Sequence, residues 1–245
     1  MRKKIEKAVL EMEKKSSIIL SSSSATHGLK RSIRNLLNEI SLFKNHSKSK
    51  FSGNPSIKAK DLDVQIGGGH HHLDKFLNID IVPPADLIWD VREEIPLKSG
   101  SARFIFSEHF LEHIDYPTSV KRFIKECYRL LKNNGKLAIG VPDGALAIQA
   151  YCSNNKKLIN KFKRNWYGKR DCLEHFNTKI DFLNYHLRDQ DDDKKYHPHL
   201  WAYDYEKLES LLKGAGFQKI KKWKFDGKIA NPKRRFGSVY VTAVK

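Results

Sequence analysis

The chain has 245 residues, 40% of them apolar and 11% aromatic, which is enough for one sizeable core and excludes global disorder. The formal charge of +18 is unevenly spread. Residues 1–60 carry 14 Lys and Arg against 4 Asp and Glu, residues 61–150 carry 10 against 13, and residues 151–245 carry 22 against 11. Basic flanks around a slightly acidic centre suit an acidic partner such as nucleic acid, a phosphorylated glycan or an anionic membrane face, or equally a coat of solvated lysines. The longest uncharged stretch near the start, SSIILSSSSATHG, is too short and too polar to span a bilayer. Charges interrupt MRKKIEKAVLEMEKK where a signal peptide needs an apolar run. Cys127, Cys152 and Cys172 form neither a disulfide framework nor a CxxC knuckle, so reduced thiols and a cytoplasmic location are expected.

In chain order, residues 1–60 read as a basic, partly helical arm, with helices over 1–16 and 29–44 separated by the serine-rich stretch. The arm is expected to pack loosely on the domain or on a partner. From Leu62 the pattern becomes alternating strand and helix: LDVQI, FLNIDIV, DLIWD and ARFIFS are four strands. A helix then starts near Asp115 and Pro117, with Val120, Phe123, Ile124, Cys127, Leu130 and Leu131 along one face. It stops at NNG, where Gly135 is expected in the left-handed conformation. KLAIGVPD is a fifth strand, apolar enough to be buried on both faces. Residues 144–200 read as an insertion with short helices. YDYEKLESLLKGAGF is an amphipathic helix, and KIKKWKF and GSVYVTAV form a closing antiparallel pair. This predicts an α/β fold: a Rossmann-like sheet, mostly parallel with an antiparallel edge pair, and helices on both faces, over residues 61–245.

The stretch DVQIGGGHHHLDKFLNIDIVP joins the first two strands. Glycines at the end of a first strand, opening toward a helix, let backbone amides approach a ligand that any Cβ would exclude. Asp80, at the tip of the second strand, is placed to accept hydrogen bonds from a ribose diol. The dinucleotide fingerprint G-x-G-x-x-G needs a glycine at position 72, which is His72, and there is no G-x-x-x-x-G-K-[ST] loop. NAD and ATP are therefore disfavoured, and an adenosine without a pyrophosphate fits better.

Taken together, VQIGGG, FLNIDIVP, DLIWDVREEIPLKSGSARFIFSEHFLEHI and FIKECYRLLKNNGKLAIGVPD resemble the class I S-adenosylmethionine-dependent methyltransferases of the type 11-like kind. The likeness is closest to a compact subgroup reading S-E-H-x-L-E-H, E-C-x-R-x-L-K and V-P-D. The resemblance implies S-adenosylmethionine as cofactor. It implies that Gly67 and Gly69 turn the chain beneath the cofactor's methionine portion, with Gly68 between them. Asp80 would take the ribose hydroxyls, and Asp90 would begin the segment near the adenine. Ser107, Glu108 and His109 would stand at the tip of the fourth strand, facing the methyl group and substrate. Lys75 and the KNNGK turn depart from the subgroup pattern, as do His70, His71 and His72.

Consecutive extended residues point alternately, so at most two of those three histidines could share an ion, and no metal is expected. An imidazole there could instead bond the cofactor's carboxylate. Glu112 and His113 read as backbone partners at the exit of the fourth strand. His109 is the better candidate for the pocket, and His199 matches a histidine recurrent in the subgroup. The insertion is rich in aromatics (Trp166, Tyr167, Phe176, Phe182, Tyr185) and holds clustered cations at Lys161, Lys163, Arg164, Lys169 and Arg170. It is expected to wall the acceptor pocket, with Asn184 and His199 toward the methyl group and His109, His199 and Asn184 as catalytic candidates. The alternative is that its aromatics merely cover one edge of the sheet. The subgroup suggests a small-molecule or glycan acceptor, such as a surface-polysaccharide or glycolipid intermediate. A nucleic-acid-binding methyltransferase and an inactive cofactor-binding scaffold stay open.

Overall fold

A computed structural model describes residues 2–51, 60–153, 155–167, 177–188 and 198–245. Cys172, Phe176, Lys169, Arg170 and the acidic run after Arg188 lie outside the described residues, as does the side chain of Tyr167. The chain opens with helices α1 (Arg2–Ser21) and α2 (His27–Phe51). Both run longer than expected: α1 takes in the first serines, and α2 continues past residue 44 into the basic stretch.

Strands β1 (Leu62–Ile66), β2 (Leu77–Asp80), β3 (Leu87–Ile88) and β4 (Ala102–Glu108) follow. After them come helix α3 (Thr118–Leu130) and strand β5 (Leu131–Pro142). The insertion contributes α4 (Gly144–Cys152), α5 (Lys156–Phe162) and α6 (Lys179–Arg188). Helix α7 (Tyr205–Gly214) and strands β6 (Gln218–Lys222) and β7 (Ser238–Val244) complete the chain. The seven strands lie in the order β3-β2-β1-β4-β5-β7-β6. The first five pair in parallel, and β7 pairs antiparallel with both β5 and β6. This is the expected sheet, with the DLIWD strand shortened to Leu87–Ile88.

Side chains alternate across the central strands. Val64, Ile66, Ile105, Leu137, Ile139, Val141 and Val241 are all at most 1% exposed and face α3 and α7 in the main core. The opposite face buries Phe106, Ala138 and Tyr240 under loop residues Leu73, Ala230, Phe225 and Ile229, with Trp223 beside them. The insertion has a small core of its own, built from Ala147, Ala150, Ile159, Phe162, Phe182 and Tyr185.

Two local expectations are corrected. Between β1 and β2 the glycines lead into turns, not a helix, since residues 67–76 are too few for a helical crossover. Helix α3 ends at Leu130, before NNG, which lies within β5; there Asn134 takes the left-handed conformation (φ 62°) while Gly135 does not, and a Cβ on Gly135 would sit 2.8 Å from the Lys132 carbonyl. At the start of α3, Asp115 accepts from the Ser119 hydroxyl at 2.6 Å, one turn below the first helical residues.

Candidate active site at the carboxyl ends of the strands

In an open parallel sheet the ligand crevice lies at the carboxyl ends of the strands, where neighbouring crossovers diverge. The expected cofactor residues gather there on β1, β2 and β4. The Gly69 amide donates to Asp80 Oδ2 at 2.9 Å, and Asp80 Oδ1 accepts from the Val82 amide at 3.0 Å. The glycines differ in what they permit. Gly67 (φ 70°) and Gly68 are backed by their own chain: a Cβ would meet the Phe110 ring at 2.4 Å and the Gln65 amide at 2.6 Å. Gly69 (φ 55°) faces open space.

The three histidines diverge. His70 is exposed, His71 Nε2 lies 3.4 Å from the Ile229 carbonyl, and His72 Nε2 lies 2.9 Å from the Gly69 carbonyl. His71 and His72 brace the loop.

Asp90 is committed to its own chain. Its carboxylate takes Arg92 Nε and Nη2 at 2.8–3.1 Å, and its amide donates to His46 Nδ1 of α2 at 3.2 Å. His46 also meets the Trp89 ring edge-on at 4.3 Å. The arm is thus docked on the β3 edge. Between α1, α2 and the Asp90 segment lies a cleft of about 560 Å³ with Ile5, Val9, Ile40 and Phe43 as apolar lining.

At the β4 tip, Ser107 is 1% exposed with its hydroxyl unpartnered among the described residues. Glu108 is turned toward the end of the chain: it accepts from Tyr240 Oη at 2.7 Å and the Asn231 amide at 3.1 Å, and Arg234 lies at 3.4 Å. His109 (φ 53°) is half-buried, its side chain 7% exposed. Its Nε2 lies 2.8 Å from Ser238 Oγ and its Nδ1 lies 3.5 Å from Glu112 Oε1. Burial first, and then the positive charge of Arg234, hold the His109 pKa well below the ordinary imidazole value, so the ring is neutral at pH 7.

The insertion reaches this point. Trp166 stacks on the His109 ring at 5.2 Å and meets His186 at 5.1 Å. Its indole donates to the Phe236 carbonyl at 2.8 Å, and Gly237 (φ 81°) is bare because a Cβ there would touch Trp166 and Phe162. Both ends of the insertion are pinned at one place, where the Gly144 amide donates to the Tyr203 carbonyl at 2.9 Å. His199 is 5% exposed, with Nε2 4.0 Å from Glu112 Oε1 and its ring 5.0 Å from that of His113.

His109 and His199 therefore meet around Glu112. Asn184 does not join them; it stands on the exposed face of α6. The buried member of that helix is His186, 2% exposed, which sequence reasoning missed. Its spacing from Phe182, one helical turn, was the available signal. Glu112 was read as a backbone partner, and its carbonyl does accept from the Leu200 amide at 2.7 Å, but its carboxylate faces the histidines.

The family model described as a methyltransferase domain matches residues 82–139. No curated protein matches the chain. Among solved structures, the chain is similar to a SAM-dependent methyltransferase from Thermotoga maritima, a possible histamine N-methyltransferase. The two share 15% identity over 86% of this chain and 97% of that one, with a TM-score of 0.44. A SAM-dependent methyltransferase from Archaeoglobus fulgidus shares 14% identity over 78% and 89%, with a TM-score of 0.46. Burkholderia thailandensis 1,6-didemethyltoxoflavin-N1-methyltransferase shares 12% over 92% of each chain, with a TM-score of 0.41. The matched segment runs from just after β2 through β4 and α3 into β5, inside a sheet that carries the glycine loop and Asp80 at its ligand edge, and over that segment the chain resembles a methyltransferase domain.

Proposed function

We propose that this chain is a class I S-adenosylmethionine-dependent methyltransferase, that it methylates a small-molecule or glycan acceptor that enters beneath the insertion, and that the insertion is a wall of the acceptor site. The observation that carries this reading is the stack of Trp166 on His109, which brings the insertion's own core onto the β4 tip. The cofactor fits the residues present. The open space at Gly69 leaves room for a close ligand, and Asp80 keeps carboxylate lone pairs beyond the two amides it already accepts from. S-adenosylmethionine supplies an electrophilic methyl group on sulfur. The residues of this chain hold it, exclude water from the acceptor side and handle the proton.

Transfer to a hydroxyl requires the acceptor to lose a proton while it attacks in line. A neutral His109 suits that role through Nε2, which an acceptor hydroxyl would take over from Ser238 Oγ, with Glu112 beside Nδ1 to favour the imidazolium once formed. His199 lies on the other side of Glu112. Asn184 has no part in this reading, because it faces away from the cluster. Both described cysteines are free thiols, and no described helix is long and apolar enough to cross a membrane; a cytoplasmic enzyme acting on a precursor is consistent with both.

Calorimetry with S-adenosylmethionine, S-adenosylhomocysteine and NAD tests the cofactor; binding of the first two and not the third is expected. For the acceptor, labelled methyl groups should pass from S-adenosylmethionine to sugar nucleotides or glycolipid precursors. Label in RNA or DNA instead, with affinity that falls steeply with salt, would replace the reading by nucleic-acid methylation.

A further inference from the structure

Glu112, His113 and His199 each place a donor atom within 4.8 Å of the others. Two elements from distant parts of the chain bring them together. A single 3-10 turn, Leu111–His113, fixes Glu112 and His113 just after β4. The far end of the insertion delivers His199, whose amide donates to the Arg188 carbonyl at 2.8 Å, while the next amide, of Leu200, donates to the Glu112 carbonyl at 2.7 Å. The backbone is therefore pinned on both sides of the cluster.

Glu112 is 1% exposed and His199 5%. Glu112 Oε1 and His199 Nε2 stand 4.0 Å apart. Bonds of about 2.0–2.2 Å to one tetrahedral ion would set ligand atoms roughly 3.3 Å apart, so closure needs only a small side-chain movement. Beside the cluster is a void of about 10 Å³ lined by Glu112, His186, His199 and Tyr203. Such a void is about the size of one water. The Tyr203 hydroxyl, on a residue 2% exposed, has no hydrogen-bond partner among the described residues.

We propose that Glu112, His113 and His199 bind one divalent ion of the zinc class, with a fourth ligand position toward the void beside His186 and Tyr203. Two imidazoles and one carboxylate with an open position is a donor set such ions take. Calcium and magnesium prefer shells of oxygen alone, and copper(I) prefers sulfur. The ion clamps the turn after β4 to the end of the insertion. This inference is independent of the identity of the methyl acceptor.

The test is titration of the untagged, chelator-treated full chain with cobalt(II), followed by its visible spectrum and then by competition with zinc. One equivalent should bind with the intense absorption of a tetrahedral site. Glu112→Gln and His199→Ala should each weaken binding by about 100-fold or more, beyond the effect of losing an outer-shell partner. The combined His70→Ala, His71→Ala, His72→Ala variant should bind as the parent does. Circular dichroism checks folding; if Glu112→Gln does not fold, half-buried His113→Ala carries the same test. No cobalt binding by the parent chain, or loss with the triple variant and retention with Glu112→Gln or His113→Ala, overturns the proposal. S-adenosylmethionine binding is read by calorimetry on the same samples, so failure of the metal site is distinguished from failure of the cofactor site.

Discussion

The Gly69 amide donates to the Asp80 carboxylate at 2.9 Å, tying the loop after β1 to the tip of β2. One carboxylate thus shapes the loop and also offers acceptor lone pairs at the ligand edge. Asp80→Ala should weaken S-adenosylmethionine binding by about 1–3 kcal/mol, the range for a lost hydrogen bond to a charged group. Asp80→Asn keeps an acceptor oxygen for Gly69 and should fall between parent and Ala. Calorimetry checks both, and unchanged affinity in Asp80→Ala would make the acid purely structural.

The neighbouring glycines should respond differently. Gly69→Ala meets open space and carries only the cost of a left-handed residue, about 1–2 kcal/mol. Its main effect should be on cofactor affinity. Gly67→Ala carries the same conformational cost and also drives a methyl group into the Phe110 ring. Overpacking adds roughly 1–3 kcal/mol, so this variant should lose distinctly more in urea unfolding. Equal losses in the two variants would contradict the assignment of Gly67 to packing.

The E-C-x-R spacing on α3 has a structural explanation. Glu126 accepts from the Ile95 amide at 2.8 Å and from Arg129 Nε at 2.7 Å. Arg129 also donates to the Leu97 carbonyl at 2.8 Å and the Ile95 carbonyl at 2.9 Å. The pair clamps the 95–97 segment onto the helix. Arg129→Met should cost about 2–3 kcal/mol, below the full figure for a buried pair because Arg129 is partly exposed. Glu126→Gln should cost less, since it still accepts from Ile95. Urea unfolding with unchanged slope distinguishes lost stability from altered compactness.

The parallel strands and α3 were legible because their apolar runs and helical spacing serve the same core. Phe123, Ile124 and Cys127 bury where the period places them. The β1–β2 connection was not, because its support comes from polar residues inside strands. Gln65, 2% exposed, donates to the His71 carbonyl and accepts from the Leu73 amide. Asn78 donates to the carbonyls of Leu73 and Phe76. These two amides satisfy a turn where a helix would satisfy itself, and a polar residue in each strand was the only trace. At the site, Asp80 and the glycines could be placed from strand ends alone. The Glu112 cluster could not, because it forms only when residues 111–113 and 199 meet across the insertion.

Protonation should loosen the arm. His46 Nδ1 accepts from the Asp90 amide, so that nitrogen must be unprotonated when α2 is docked. Burial lowers the His46 pKa despite the opposing pull of Asp90. Between this lowered value and the ordinary imidazole value of about 6.5, the undocked state binds more protons than the docked one. Stability of the docked arm is therefore present above that ordinary value and is lost as pH falls through the lowered one. Hydrogen exchange of α2 should quicken from pH 7.5 to pH 5.5 beyond the intrinsic pH effect, while strands β4 and β5 stay protected. His46→Ala removes the titrating group, so its α2 should exchange faster at pH 7.5 and show no further loosening on acidification. A parent chain in which α2 protection does not respond to acid, or a His46→Ala chain that responds as the parent does, would show that the Asp90–His46 contact does not govern docking.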